Sequence, residues 1–119
     1  MSKPTIDHRG PEFEALTHRL LADLRWICGT TDDVFIYPAS GSGAWEAAIV
    51  NTLSSGDTVV AFEQGFFAQG WAQVAVRFGL DVRLQSWDGR QGVTPDAVTK
   101  LLSDDGNQAI KAVMIVHNE

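Results

Sequence analysis

Apolar and polar positions along the chain follow two periods in turn, and the helical period comes first. Between Pro11 and Gly29, apolar residues recur every three or four positions, which predicts one helix with a single apolar face. Proline at the first helical position and glycine after the last turn are common at those places. We expect Cys28, at the end of that face, to belong to the core rather than to act as a nucleophile. The face consists of Phe13, Leu16, Leu20, Leu24 and Ile27.

The rest of the chain alternates short strand-like runs with helical stretches. Such alternation favours an α/β fold, with a mostly parallel sheet and helical crossovers. Ligands bind sheets of this kind beyond the carboxyl ends of the strands, so a site is expected there. We predict strands over residues 34–37, 58–62, 82–87 and 112–116, and helices over 44–53, 66–78 and 95–102.

The composition is that of an ordinary globular domain, with 119 residues, 45% hydrophobic and 20% charged. Nine basic against 15 acidic residues leave a net charge of −6, which disfavours nucleic acids and anionic membranes as partners. A single cysteine excludes an internal disulfide. No apolar run approaches the ~20 residues of a membrane span, and the amino terminus has no signal-peptide core. We therefore expect a cytoplasmic location.

A turn of small residues, 39–43, follows the first predicted strand and precedes a helix. Small side chains allow a backbone to approach a ligand closely, and the free N–H groups and dipole of a helix N-terminus attract anions. The hydroxyl groups of Ser40 and Ser42 add two donors. The turn therefore predicts a phosphate site that needs no net positive charge. The alternative is a serine-capped helix after a flexible turn.

Two better-known phosphate loops are excluded by the residues themselves. A dinucleotide fingerprint requires a third glycine where this chain has Glu46. A P-loop requires lysine before serine or threonine, and no lysine lies between Lys3 and Lys100. The turn at 39–43 belongs to another class of phosphate site, if it is one.

Two further strand ends carry residues with possible chemistry. Phe66 and Phe67 follow the second predicted strand, where an aromatic ring could stack on a planar ligand or belong to the core. His117 and Asn118 follow the last strand, where they could hydrogen-bond a ring hydroxyl or a carboxylate, or form a polar loop. A metal site at His117 and Glu119 is disfavoured because no cluster of further ligands accompanies them. Near the amino terminus, Arg9 could clamp a carboxylate or remain a surface charge.

Three segments of the chain together resemble class V aminotransferases. They are residues 7–13 (DHRGPEF), 37–48 (YPASGSGAWEAA) and 116–119 (VHNE), in the order and spacing of that family. Within the class, the chain looks most like the serine–glyoxylate and alanine–glyoxylate aminotransferases, from about Thr5 to Glu119. The resemblance implies fold-type I, with residues 1–10 as an N-terminal arm and 11–119 as part of the large domain. In this family that domain binds pyridoxal 5′-phosphate at a dimer interface.

The resemblance also implies roles for individual residues. Ser40, Gly41 and Ser42 match the family's loop that grips the phosphate of the cofactor. Phe67 matches the aromatic residue, often tryptophan in relatives, that stacks on the pyridine ring. His117 and Asn118 lead into the segment that hydrogen-bonds the phenolic oxygen. Trp45, inside the second predicted helix, is expected to be a packing residue.

By resemblance, the parent protein is a homodimeric transaminase that moves an amino group from serine or alanine to glyoxylate. Its substrates are thus an amino acid and a 2-oxo acid. The family's Schiff-base lysine, and the acidic residue that pairs with the pyridinium nitrogen, lie further along than Glu119. The chain is therefore expected to be truncated before that lysine, to bind pyridoxal phosphate weakly or undetectably, and to be inactive alone.

Two other interpretations fit the residues. One is a non-enzymatic α/β module that binds a phosphorylated ligand or a partner protein. The other is a flavodoxin-like carrier, because the phosphate of FMN also lies on a strand–loop–helix turn.

Overall fold

The computed structural model describes residues 4–88 and 90–119, which form two compact units that divide after Pro38. The first unit contains one helix, α1 (Pro11–Cys28). Pro11 occupies the first helical position, as predicted, and Gly29 ends the helix in the left-handed conformation with φ 61°. The N–H groups of Gly29 and Thr30 then donate to the carbonyls of Trp26 and Arg25, which satisfies the last turn.

The apolar face of α1 is not buried within the described residues. None of the 18 residues of the helix is buried, and Ile27 is largely exposed. The expectation that Cys28 lies in the core is wrong, because its side chain is exposed. A helix buries an apolar stripe only against a second layer, and the described part of this unit has no second helix or strand to provide one.

The strand predicted over residues 34–37 does not form. Phe35, Ile36 and Tyr37 are extended and mostly exposed, with no strand paired to them in the described part of the chain. An apolar run becomes a strand only when a neighbour satisfies its N–H and C=O groups. The beginning of this segment is instead tied to the end of α1, since the guanidinium of Arg25 donates to the carbonyl of Asp32 at 3.0 Å.

The second unit is a parallel three-stranded sheet with helices between the strands, which confirms the predicted α/β class. The strand order is β2-β1-β3, so the chain crosses over β1 on its way from β2 to β3. The helices and strands are α2 (Gly41–Thr52), β1 (Thr58–Glu63), α3 (Phe66–Arg77), β2 (Asp81–Ser86), α4 (Pro95–Ser103) and β3 (Ile110–Met114).

The core of this unit lies around the central strand. Residues 59–62 of β1 are all buried, as expected for a continuous apolar run with a strand on each side. Helix α3 presents Ala68, Ala72 and Ala75 as its buried residues, and such small side chains allow a helix to approach a sheet closely. Ile49, Leu80 and Met114 complete the core from the neighbouring elements.

The importance of this core can be tested with two leucines of different burial. Leu80 is 6% exposed and belongs to the core cluster, whereas Leu102 in α4 is 46% exposed. We expect Leu80→Ala to lower the free energy of unfolding by about 2–5 kcal/mol, because it removes buried methyl groups and leaves a cavity. Urea denaturation followed by circular dichroism measures this loss. The matched variant Leu102→Ala is expected to stay within about 0.5 kcal/mol of the native chain. Equal losses at the two positions would contradict this description of the core.

Candidate functional site

The amino end of α3 is capped by a residue far away in the sequence. Its N-cap residue is Gly65, which has no side chain to accept a hydrogen bond. Instead, the carboxylate of Glu119 accepts from the N–H of Phe67 at 3.1 Å and from the N–H of Ala68 at 2.7 Å. The first N–H groups of a helix lack partners within the helix, and a negative charge is favoured there. Glu119 therefore joins the segment that follows β3 to the first turn of α3.

Gly65 contributes space at this point rather than a special backbone conformation. Its φ of 175° is extended backbone that any residue can adopt. A Cβ atom at this position would lie 2.6 Å from Oε2 of Glu119, so the glutamate side chain would have to shift. Glycine thus allows the carboxylate to reach the helix.

Four aromatic side chains from α2 and α3 form a cluster beside this cap. Trp45 stacks on Trp71 with ring centroids 5.7 Å apart and an interplanar angle of 14°. The edge contact between Trp45 and Phe67 has a centroid distance of 6.3 Å, and Phe66 meets Phe67 at 5.5 Å. The predicted packing role of Trp45 is confirmed. We call Trp45, Phe66, Phe67 and Trp71 the aromatic cluster.

Phe67 differs from its neighbour in how much of its ring is covered. It is 47% exposed and contacts both Trp45 and Phe66, whereas Phe66 is 82% exposed. A ring that is held by aromatic neighbours and still about half exposed can stack on a planar ligand. Phe67 is therefore the better placed of the two phenylalanines.

Helix α2 begins three residues earlier than predicted, inside the small-residue turn. Ser40 is the N-cap residue, but its side chain makes no capping hydrogen bond. The N–H of Gly43 donates to the carbonyl of Ser40 at 2.9 Å. The N–H groups of Gly41 and Ser42 have no backbone acceptor among the described residues. The first turn of α2 thus combines two unpaired N–H groups with two serine hydroxyls, which are donors suited to an anion.

The two glycines of this turn have different reasons to be glycine. A Cβ atom at Gly43 would lie 2.6 Å from the Cβ of Ala39, so the turn itself leaves no room for a side chain. At Gly41, in contrast, a Cβ atom would meet nothing within 4 Å. Gly41 therefore borders open space, in which a ligand can come close to the backbone.

Three segments singled out from the sequence, 39–43, 66–67 and 117–118, lie in the second unit. Trp45, just after the first turn of α2, contacts Phe67 at the start of α3, and Glu119 bonds to the same turn of α3. His117 and Asn118 directly precede Glu119 and are exposed. The strand before them ends at Met114, two residues earlier than predicted.

Arg9 lies in the first unit, where its backbone N–H donates to Oδ1 of Asp7 at 3.0 Å. Within residues 4–88 and 90–119, no three or more His, Cys, Asp and Glu side chains are grouped as metal ligands. None of the helices in the described part of the chain is long and apolar enough to span a membrane.

The contact of Glu119 with the start of α3 was not predicted from the sequence. The only signal for it was a helix with glycine at its N-cap and no acidic residue in its first turn, whose N–H groups need a partner from elsewhere. Nothing in the local pattern identifies that partner, because it lies 51 and 52 positions along the chain from the two donors.

Comparisons with known proteins find relatives that are named glyoxylate aminotransferases. No family model matches it. It is 44% identical over 114 residues to a serine–glyoxylate aminotransferase of Methylorubrum extorquens, which covers 95% of the chain and 28% of that protein. It is 40% identical over 117 residues to an L-aspartate–glyoxylate aminotransferase of Paracoccus denitrificans, which covers 98% of the chain and 30% of that protein.

A solved structure supports the same relationship through the fold. The alanine–glyoxylate aminotransferase from Nostoc sp. matches with a TM-score of 0.73 and 26% identity, over 86% of this chain and 27% of that one. The chain therefore spans less than a third of the length of these relatives. By sequence and by fold, this chain belongs to the aminotransferase family that includes the glyoxylate aminotransferases.

Proposed function

We propose that this chain supplies the phosphate cradle and one ring-stacking face of a pyridoxal-phosphate-dependent aminotransferase. The whole enzyme, a homodimer, transfers an amino group from serine or alanine to glyoxylate, and residues 11–119 form part of its large domain. The observation that carries the proposal is the contact between Trp45 and Phe67, which links the helix that starts at the small-residue turn to the exposed ring. A phosphate site and a stacking face on two helices in contact fit a phosphorylated aromatic cofactor.

The cradle is the first turn of α2. Gly41 and Ser42 provide unpaired N–H groups, Ser40 and Ser42 provide hydroxyls, and the helix dipole adds a partial positive charge. These local dipoles are needed because the chain as a whole carries a net charge of −6. The corresponding N-terminus of α3 is already occupied by the carboxylate of Glu119. Of these two neighbouring helix ends, α2 is the one available to a phosphate.

The ring of the cofactor would lie against the exposed side of Phe67. Phenylalanine offers the same flat face as the tryptophan found in many relatives, without an indole N–H. The side chains of His117 and Asn118 follow β3 and are expected to donate to the oxygen substituent of that ring. Bound there, pyridoxal phosphate would serve as the electron sink for amino-group transfer. The residues of this chain bind and orient it.

The expected affinity for pyridoxal phosphate is low. A drug-sized ligand gains about 0.3 kcal/mol of binding free energy for each non-hydrogen atom. For pyridoxal phosphate, the total corresponds to a dissociation constant somewhat below ~1 mM. Nuclear magnetic resonance is suited to this range, because the amide signals of Gly41 and Ser42 report on the cradle. Their movement during a titration with pyridoxal phosphate supports the proposal. Equal affinity for FMN would instead favour a flavodoxin-like carrier, and no movement would reject a phosphate site.

Two adjacent phenylalanines provide a matched test of the stacking face. We expect Phe67→Ala to weaken pyridoxal phosphate binding about fivefold to tenfold, because an aromatic pair contributes ~0.5–1.5 kcal/mol beyond its buried area. Phe66→Ala removes the same ring from a more exposed position, and we expect a change smaller than about twofold. The dissociation constants of both variants come from the same titration. A larger loss for Phe66→Ala than for Phe67→Ala would show that the ring binds elsewhere.

A further inference from the structure

We propose that Glu119 is a positioning residue. It fixes the ring of Phe67 and the loop of His117 and Asn118 relative to each other. The inference rests on the proposed function, in which those residues contact the cofactor. Glu119 itself faces the helix and not the cofactor, because both of its carboxylate oxygens accept backbone N–H groups of α3.

The four helices differ in how their amino ends are satisfied. Helix α1 carries Glu12 and Glu14 in its first turn. In α4 the hydroxyl of Thr94 accepts from the N–H of Ala97, and Asp96 lies in the first turn. Helices α2 and α3 have no acidic residue in the first turn and no side-chain bond from the N-cap residue. Helix α3 receives a carboxylate from outside the helix, and α2 does not. The chain thus occupies one of two neighbouring anion-favouring ends and leaves the other open.

The place of the two bonds explains why the ring depends on Glu119. Phe67 donates one of them with its own N–H, so the backbone from which its ring extends is held directly. The ring then packs against Trp45 of α2. On the other side, Glu119 follows His117 and Asn118 without an intervening residue. Loss of the carboxylate would release the first turn of α3 and this loop together.

The variant Glu119→Ala tests the link in the chain without any ligand. We expect the amide protons of Phe67 and Ala68 to exchange at least about tenfold faster with solvent, because they lose their acceptor. We also expect the near-ultraviolet circular dichroism of the aromatic cluster to change, while the far-ultraviolet spectrum keeps its helical content. Glu119→Gln retains one acceptor oxygen and is expected to give an intermediate spectrum, which also covers the case in which the alanine variant does not fold.

A second substitution separates positioning from simple capping of the helix. In the double variant Gly65→Ser/Glu119→Ala, the serine supplies a local cap, and the space that Glu119 occupied is free for its side chain. We expect the melting temperature, lowered by roughly 5 °C in Glu119→Ala, to recover. The amide resonances of His117 and Asn118 are expected to remain shifted, because the loop after β3 is still detached. Recovery of both would show that Glu119 is only a helix cap and would overturn the inference.

Cofactor binding provides the last measurement. Glu119→Ala and the double variant are both expected to bind pyridoxal phosphate about tenfold more weakly than the native chain, a loss of about 1.4 kcal/mol. The control is Glu12→Gln in α1, where the glutamate makes no side-chain hydrogen bond among the described residues, and native affinity is expected. If the native chain binds no pyridoxal phosphate, the proposed function fails, and the near-ultraviolet spectrum alone decides the role of Glu119. An unchanged spectrum in Glu119→Ala rejects that role in either case.

Discussion

Gly43→Ala is expected to reduce pyridoxal phosphate binding by more than about tenfold. The added Cβ atom would lie 2.6 Å from the Cβ of Ala39. The first helical turn of α2 must therefore move away from Ala39. Gly43 also donates to the carbonyl of Ser40, so this shift displaces the N-cap residue and the N–H groups beside it. A displacement of donors that converge on a phosphate removes most of a weak binding energy.

The same variant is also expected to be less stable than the native chain. In an unhindered helix, alanine is more stable than glycine by up to about 1 kcal/mol. The collision with Ala39 is expected to reverse that sign and to cost about 1–3 kcal/mol, as in other overpacked positions. Titration and urea denaturation of one sample measure both effects.

The compensating variant is Ala39→Gly/Gly43→Ala. It removes the Cβ atom on the other side of the collision, so both affinity and stability are expected to return most of the way. If Gly43→Ala binds with native affinity, the turn is not the cradle. If the double variant binds no better than the single one, the collision is not the cause of the loss.

The second large effect is the absence of catalysis by this chain alone. A transaminase needs a lysine amine at the cofactor, and the cofactor site proposed here lies at the carboxyl ends of the strands. Lys111 is the second residue of β3, near the amino end of that strand. Lys100 is in the last turn of α4, on a groove that it shares with Asp104 and Ile110. Lys3 lies outside the described residues. We therefore expect no transfer from serine or alanine to glyoxylate.

Borohydride reduction followed by intact mass measurement tests this expectation. One equivalent of pyridoxal phosphate is added to the chain, and the mixture is reduced. The protein is then dialysed, and its intact mass is measured. We expect no stoichiometric adduct. Lys100→Arg and Lys111→Arg are the matched controls, because they retain the charge and remove the reactive amine. A single-site adduct that disappears in one of them, together with measurable transamination, would refute the expectation.

The order of helices and strands in the second unit was predictable because local patterns and tertiary structure agree there. Pro95 with Thr94 before it marked the start of α4, and the buried run at 59–62 marked the central strand. The start of α2 was predicted three residues late, because glycines at 41 and 43 are poor helix formers in a helix interior. At a helix N-terminus that penalty is outweighed by the close packing that only glycine permits at Gly43.

The segment at 34–37 shows where the pattern alone misleads. Its four apolar residues have the composition of a buried strand, yet the structure leaves Phe35, Ile36 and Tyr37 exposed and unpaired within the described residues. Pairing depends on a neighbouring strand, and the run itself contains no information about one. The predicted burial of the apolar face of α1 is wrong for the same reason, because burial requires a second surface to pack against.

The local segments of the candidate site were predictable from the sequence, but the contacts between them were not. Small residues before a helix, an aromatic pair after a strand and polar residues after the last strand were visible in the sequence. The contact of Glu119 with Phe67 depends on the parallel pairing of β1 with β3, which brings distant segments to the same edge of the sheet. Such contacts follow from the register of the sheet rather than from any local motif.

The position of β1 has a consequence for the nascent chain on the ribosome. Among the three described strands, β1 is the first to be synthesised and the central one in space. One of its edges can pair once β2 has emerged, but the other remains unpaired until β3 (Ile110–Met114) has been synthesised. At roughly 5–20 residues per second, translation of the intervening segment takes about a few seconds. During that interval an apolar edge is open to other chains, so newly made protein should depend on chaperones until translation reaches β3.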